Sequence, residues 1–270
     1  MSRKIKINYP KILETALKGI RRTVVFMGLG LNAAYNPEFK NYSLTDIAPI
    51  QLISDKVDEK TIANFKENFA IWIVGCGFRE LIETFSVFLD QVFDASLHIA
   101  VSTQSVKPEE PENLYKKFTF KGIKDKLKDL EKYFGIKSSY SDHLISIQQA
   151  RNCLTHRQGR VERIDCNNGE ALIIKWKGID YIASTKSGET KKFNVPLKEP
   201  LYFKEEGFIG IKFVERKSSF KLGTIIKIPP KDLAEICFFI LIVSKEIVKY
   251  AQDYAIHQKA IKPEVVDNNV

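Results

Sequence analysis

Apolar positions recur at helical spacing over most of this chain and give way to short β-favouring runs only between about residues 161 and 228. Ile12, Leu13, Ala16, Leu17 and Ile20 share one face, and Pro10 stands at the start, so the spacing predicts a helix from about Pro10 to Leu31. From Asp58 to about Ala100 the apolar face is wide, with Phe65, Phe69, Trp72, Phe78, Leu81, Phe85, Phe88, Leu89 and Phe93 along it. That width predicts a long helix, bent near Gly75–Gly77, packed on several helices or on a partner copy. Glu80, Glu83 and Asp90 are spaced along the other side and read as a solvated face. Residues 113–137 form a basic amphipathic pattern with Ile123, Leu127, Leu130 and Phe134 inward. A helix from Ser141 follows, and a last one runs from Asp232 to about Gln258. Asn36-Pro37 and the run from Ser102 to Glu112 mark loops.

Between the helices at residues 141 and 232 the texture changes. Ala171–Trp176, Ile179–Ala183, Pro200–Lys204, Phe208–Val214 and Thr224–Ile228 are short and β-favouring, divided by turn signals such as Lys177-Gly178 and Ser187-Gly188. They predict a small antiparallel sheet inserted over 161–228. Its lysines alternate with Trp176, Tyr181, Phe193, Tyr202, Phe208 and Phe213. Basic and aromatic residues in alternation suit single-stranded RNA. Any small sheet also uses such aromatics as core, and core is the favoured expectation.

The net charge of +9 changes the picture, because it favours an anionic partner, with nucleic acid first. Lys116, Lys117, Lys121, Lys124, Lys126, Lys128 and Lys132 crowd the basic helix, and Lys124 and Lys128 are candidate phosphate contacts. Cys76, Cys153, Cys166 and Cys237 are scattered without a C-x-x-C pair, which argues against a zinc site and a disulfide framework. The N-terminal residues lack a signal-peptide core, and no apolar stretch reaches the roughly 18 residues of a membrane span, so a cytoplasmic protein is expected. One false echo is set aside: Gly28-x-Gly30-x-x-Ala33, with Asp55 where a ribose-binding acid would stand, imitates a dinucleotide fingerprint. Asn36-Pro37 leaves too little room for the helix that must bind pyrophosphate, and no βαβ series follows.

The candidate chemistry lies near the end of the helix from Ser141. Leu144, Ile147 and Leu154 make its apolar stripe, and Arg151 falls on that stripe where a leucine is the ordinary choice. Asn152 and His156 are an i, i+4 pair on the neighbouring row, and Gly159 is a stop signal. Arg151-Asn152-Cys153-Leu154-Thr155-His156 resembles the signature of the HEPN superfamily, in which Arg, a polar residue, a short gap and His close one helix of a bundle. The resemblance covers the motif helix closely and the flanking helices only in kind.

It implies one mainly α, HEPN-like bundle spanning 1–270; the β-rich stretch after the motif helix is not part of a minimal family domain and is read as an insertion in it. It further implies a metal-independent endoribonuclease without cofactor, of the kind used in toxin–antitoxin and phage-defence systems. Arg151, Asn152 and His156 would be catalytic, in a cleft shared by a homodimer, with RNA as substrate and an antitoxin or regulatory protein as further partner. Arg157, Arg160 and Arg163 follow the motif and are read as RNA contacts. The rival reading is a non-catalytic RNA- or protein-binding module on the same fold, with Arg151 and His156 in a structural polar network. On an ideal helix residues 151 and 156 diverge by about 140°, so a single helix does not aim both at one atom.

Overall fold

The computed structural model describes residues 7–40, 42, 53, 57–104, 111–194, 197, 200, 202 and 205–260. It is mainly helical with one small antiparallel sheet. Helix α1 (Tyr9–Tyr35) opens where Asn8 accepts the Lys11 N–H at 2.9 Å and Pro10 occupies the first turn. Helix α2 (Glu59–Ser102) is capped by Asp58, which accepts from the Thr61 N–H at 2.9 Å, and continues through Gly75 and Gly77 without interruption. Phe78, Phe85, Phe88, Leu89 and Phe93 of α2 are buried and form the axis of the core. Around them pack α1, α5 (Ser141–His156) and α6 (Pro230–His257). Gly28 and Gly30 lie inside α1 and serve helix packing: Gly30 faces Ile73 of α2, and a Cβ there would stand 2.5 Å from Ile73 Cγ1. Asp55 and most of the Pro200–Lys204 segment lie outside the described residues.

The basic stretch 113–137 forms two helices where one was expected. Helix α3 (Pro111–Thr119) ends as the Thr119 hydroxyl donates to the Lys116 carbonyl, and α4 (Ile123–Phe134) begins after Gly122. Gly135, with φ +69°, closes α4 in the left-handed conformation that favours glycine. The break seats Phe118 in the core, stacked on Phe93 with ring centroids 3.8 Å apart. It also turns Lys126 inward, away from the crowd of lysines read as a phosphate-facing surface. Lys126 is 1% exposed, its Nζ lies 2.6 Å from Asp90 Oδ1, and it donates to the Ser86 hydroxyl at 2.6 Å. Asp90 is correspondingly no surface acid; burial pushes its carboxyl above the usual range and Lys126 pulls it back only in part.

The sheet has the order β2-β1-β3, with β1 (Ala171–Thr185), β2 (Thr190–Phe193) and β3 (Gly207–Lys221). Ala171–Trp176 and Ile179–Ala183 are one strand, and Lys177-Gly178 is no turn. Gly178 sits mid-strand because a Cβ there would meet the Arg216 side chain at 2.6 Å. Phe208–Val214 is the first half of a longer strand than expected, and β2 is marked in the sequence only by Phe193 among the alternating aromatics. Thr224–Ile228 forms no strand; Ile225 makes a lone bridge with Arg160. Leu172, Ile174 and Trp176 point from β1 into the core, and Trp176 donates its indole N–H to Glu235 of α6 at 3.0 Å. The sheet thus packs on α5 and α6 through β1, with this face turned to the core. Among the described residues no helix is long and apolar enough to cross a membrane.

Candidate functional site

Helix α5 is held by its apolar side. Leu144, Ile147, Ala150 and Cys153 are fully buried, so the rotation of the helix, and with it the direction of Arg151, is set by the core. Burial pushes the Cys153 thiol up to about 12, and its Sγ donates to the Arg160 carbonyl at 3.3 Å. This cysteine, flanked by the motif residues, is a protonated packing group. The helix ends at His156; the N–H groups of Arg157 and Gly159 both reach the Cys153 carbonyl, at 3.0 and 3.1 Å. Gly159 has φ +78°, the left-handed stop that the sequence signalled.

Arg151 leaves the apolar stripe at its edge and is 20% exposed. Its Nη2 donates to Glu83 Oε1 of α2 at 2.9 Å and its Nη1 to Asn152 Oδ1 at 3.1 Å, while its buried Nε has no partner. Glu83 also faces Arg79 at 3.4 Å, so the carboxylate is shared by two guanidinium groups. Glu83, read as part of a solvated face, is therefore the motif's neighbour across the helix interface. Glu80, by contrast, pairs with Arg22 of α1. Asn152 is turned toward Arg151 and makes no hydrogen bond to His156. The amide oxygen of this i, i+4 pair is taken up instead by the arginine beside it. His156 is exposed, and among the described residues nothing hydrogen-bonds its ring.

The arginines that follow the motif divide into separate roles. Arg157 is tied to the floor of the structure: its Nε donates to Asp165 Oδ2 at 2.7 Å and its Nη2 to Oδ1. Asp165 belongs to a 3-10 turn (Arg163–Asp165) and also accepts from the Glu162 N–H at 3.0 Å. Burial opposes ionisation of Asp165, and Arg157 with the Glu162 N–H outweighs it, holding the carboxyl below the usual carboxylate range. Arg157, read as an RNA contact, therefore spends its Nε and Nη2 on the fold, while its side chain also lines the groove beside the motif. Arg160 gives one N–H to the Gly223 carbonyl at 2.8 Å and is otherwise exposed. Arg163 is exposed and unpaired among the described residues, as are Lys124 and Lys128 on α4.

Beside the motif runs a groove of about 690 Å³ between α2 and the end of α5. Trp72, Cys76 and Arg79 line one wall, and Thr155, Gln158 and Arg160 the other. Arg151, Asn152 and His156 do not line it. The structure thus brings Arg151, Asn152 and Glu83 into one hydrogen-bonded set and leaves His156 apart from them. Cys76 and Arg79 line this wall, and Glu83 lies one turn beyond Arg79 on the same helix, outside the groove. Among the described residues no group of three or more His, Cys, Asp or Glu side chains is placed to hold a metal ion. Comparison of the chain with protein-family models, with curated proteins and with solved structures finds no match.

Proposed function

We propose that this protein is a metal-independent endoribonuclease of the HEPN type, working through Arg151 and His156 in a cleft completed by a second copy of the chain. The observation that carries the reading is the state of the two key side chains at the end of α5. A guanidinium is oriented by Glu83 and Asn152 at the protein surface, and an imidazole without internal obligation stands open to solvent five residues on. Cleaving RNA by its own 2′-hydroxyl needs a base for that proton, an acid for the leaving 5′-oxygen, and a cation for charge on the phosphorane-like state. Neutral His156 serves as base or its protonated form as acid. Arg151 offers a permanently charged fork that fits phosphate oxygens. Asn152 holds the Arg151 fork in place.

The two groups diverge by about 140° and stand about 7.5 Å apart along an ideal helix axis. A partner copy supplies the missing half most simply. Phe69 and Trp72 of α2 and Val25, Phe26 and Leu29 of α1 are exposed apolar residues on adjacent helices, which suits an association of copies. Arg160 and Arg163 are the exposed cations nearest the motif in sequence and are read as backbone contacts. On this reading the biological setting is a toxin or phage-defence effector restrained by a protein partner.

The test is cleavage of a labelled tRNA pool in excess EDTA by wild type, Arg151→Ala and His156→Ala, each checked for folding by circular dichroism. Cleavage by wild type alone, leaving 2′,3′-cyclic phosphate ends, is expected. Equal background from all three sinks the assignment, and RNA binding without cleavage by any of them favours the non-catalytic binding module.

A further inference from the structure

The sheet has two unlike faces. Its register is constant, setting Ile209, Ile211 and Phe213 of β3 opposite Ala183, Tyr181 and Ile179 of β1, and Tyr181 opposite Phe193 of β2. Directly opposed residues share a face. The face bearing Leu172, Ile174 and Trp176 is filled by the core, and beyond them Asp180 is satisfied by Lys192 at 2.7 Å and Arg216 at 2.5 Å. The other face is open. Tyr181 is 39% and Phe213 50% exposed, and Ile209 and Ile211 are more exposed still. The Tyr181 and Phe193 rings lie 6.0 Å apart, and Phe213 is the diagonal neighbour of Tyr181, so three aromatic side chains cross three adjacent strands.

The charges on this face are mostly of one sign. Lys175 stands directly opposite Lys217, a like-charged pair that weakens a sheet and that folding alone does not call for. Lys191 and Lys221 share the same face, and none of these four lysines has an ion pair among the described residues. The face's one acid, Glu215, is already held by Lys177 and by His143 of α5 at 2.9 Å. On the filled face Asp180 and Glu235 hold Lys192 and Arg216 and, among the described residues, only Lys212 is left over; on the open face four lysines are.

We propose that the open face of the sheet is a binding platform for single-stranded RNA, with bases stacked on Tyr181, Phe193 and Phe213 and the backbone carried over Lys175 and Lys217. Stacking is sequence-tolerant, and unpaired lysines beside it supply the phosphate contacts. A protein partner of the same apolar face would need acids to meet those lysines. The platform is joined to the motif helix, since the Lys175 N–H donates to Ser146 Oγ of α5 at 3.0 Å. As the seat of that helix's substrate it rests on the nuclease reading; as a binding surface it is measured without cleavage.

The experiment is fluorescence anisotropy of the full chain with a labelled 2′-O-methyl RNA of roughly 10 nucleotides, a length within the span of known single-strand sites and without the hydroxyl that cleavage needs. Wild type binds the single strand in preference to the matching duplex. Tyr181→Ala and Phe213→Ala each weaken binding about tenfold, and Tyr181→Phe restores it. Lys175→Ala with Lys217→Ala, which removes a repulsion and leaves the fold intact, lowers the slope of log K against log salt by about 1.4. His156→Ala binds as wild type, which separates failure of the platform from failure of the nuclease reading. Binding that ignores all four sheet substitutions overturns the proposal. So does tighter binding of duplex, or of DNA of the same sequence, or a Phe213→Ala variant that changes sedimentation but not RNA affinity, the mark of a protein contact surface.

Discussion

On the proposed reading Glu83 competes with phosphate for Arg151. Its carboxylate orients the guanidinium but also occupies the Nη2 hydrogen that an RNA oxygen would take. Glu83→Gln keeps a polar acceptor and removes the competing charge, so it should tighten RNA binding a few-fold, in line with a partly exposed ion pair of about 0.5–1 kcal/mol. Filter binding at fixed salt checks it; weaker binding would show that Glu83 supports the arginine more than it competes. Arg157 and Asp165 carry the opposite lesson, a charge pair built for the fold. Asp165 is buried, so Asp165→Asn should cost about 2–3 kcal/mol, less than a fully buried pair because Arg157 is partly exposed. The folded carboxyl titrates below its unfolded value of about 3.9, so the pair's contribution is present above that pH and is lost as pH falls through the folded pKa. Thermal melts at stepped pH should show the wild-type advantage shrinking below about pH 4. At this scale the chain was legible in part. Arg151, His156 and Gly159 could be picked out by spacing, but Arg157 looked like one more cation until a residue eight positions away closed on it.

At the scale of elements, what was legible was periodicity, and what was not was approach between neighbours. The helices announced themselves because a core-facing stripe must repeat every 3.6 residues. The open side of the sheet did not, because Tyr181 and Phe213 alternate just as buried aromatics do; only Trp176 met the expectation of core. Gly178 looked like a turn and is a gap for Arg216 and Glu235. The basic stretch broke into α3 and α4 because Phe118 and Lys126 both turn inward, and a lysine spacing cannot reveal the Asp90 that receives one of them. The Gly28-x-Gly30 echo dissolves into two different glycines. Nothing lies within 4 Å of a Cβ added at Gly28, so Gly28→Ala should stabilise the protein by about 0.5–1 kcal/mol through helix propensity. Gly30→Ala meets the branched Ile73 and should destabilise it by about 1–3 kcal/mol. Urea melts of the two variants, run together, distinguish packing from phosphate binding as the reason for this pair; equal effects would contradict the α1–α2 contact.

The whole molecule poses the question that neither residue nor element answers: how one helix can present Arg151 and His156 to a single phosphate. Within one copy the arginine is turned to α2 and the histidine to solvent, so on the proposed reading each copy holds two half-sites pointing apart. If two copies join them, Arg151 of one copy works with His156 of the other. Arg151→Ala and His156→Ala are each inactive alone, but a mixed dimer then contains one site with both side chains intact. Random re-pairing makes half of the dimers mixed, each with one working site of two, so an equal mixture should recover about one quarter of wild-type cleavage. The mixture must be equilibrated under conditions where sedimentation shows exchange, otherwise pairing is not random. Recovery assigns the site to the pair of copies. No recovery despite exchange means that each site needs both motifs whole, or that the two groups act within one copy. Dilution separates these: activity per copy falls with the dimer in the first case and is constant in the second.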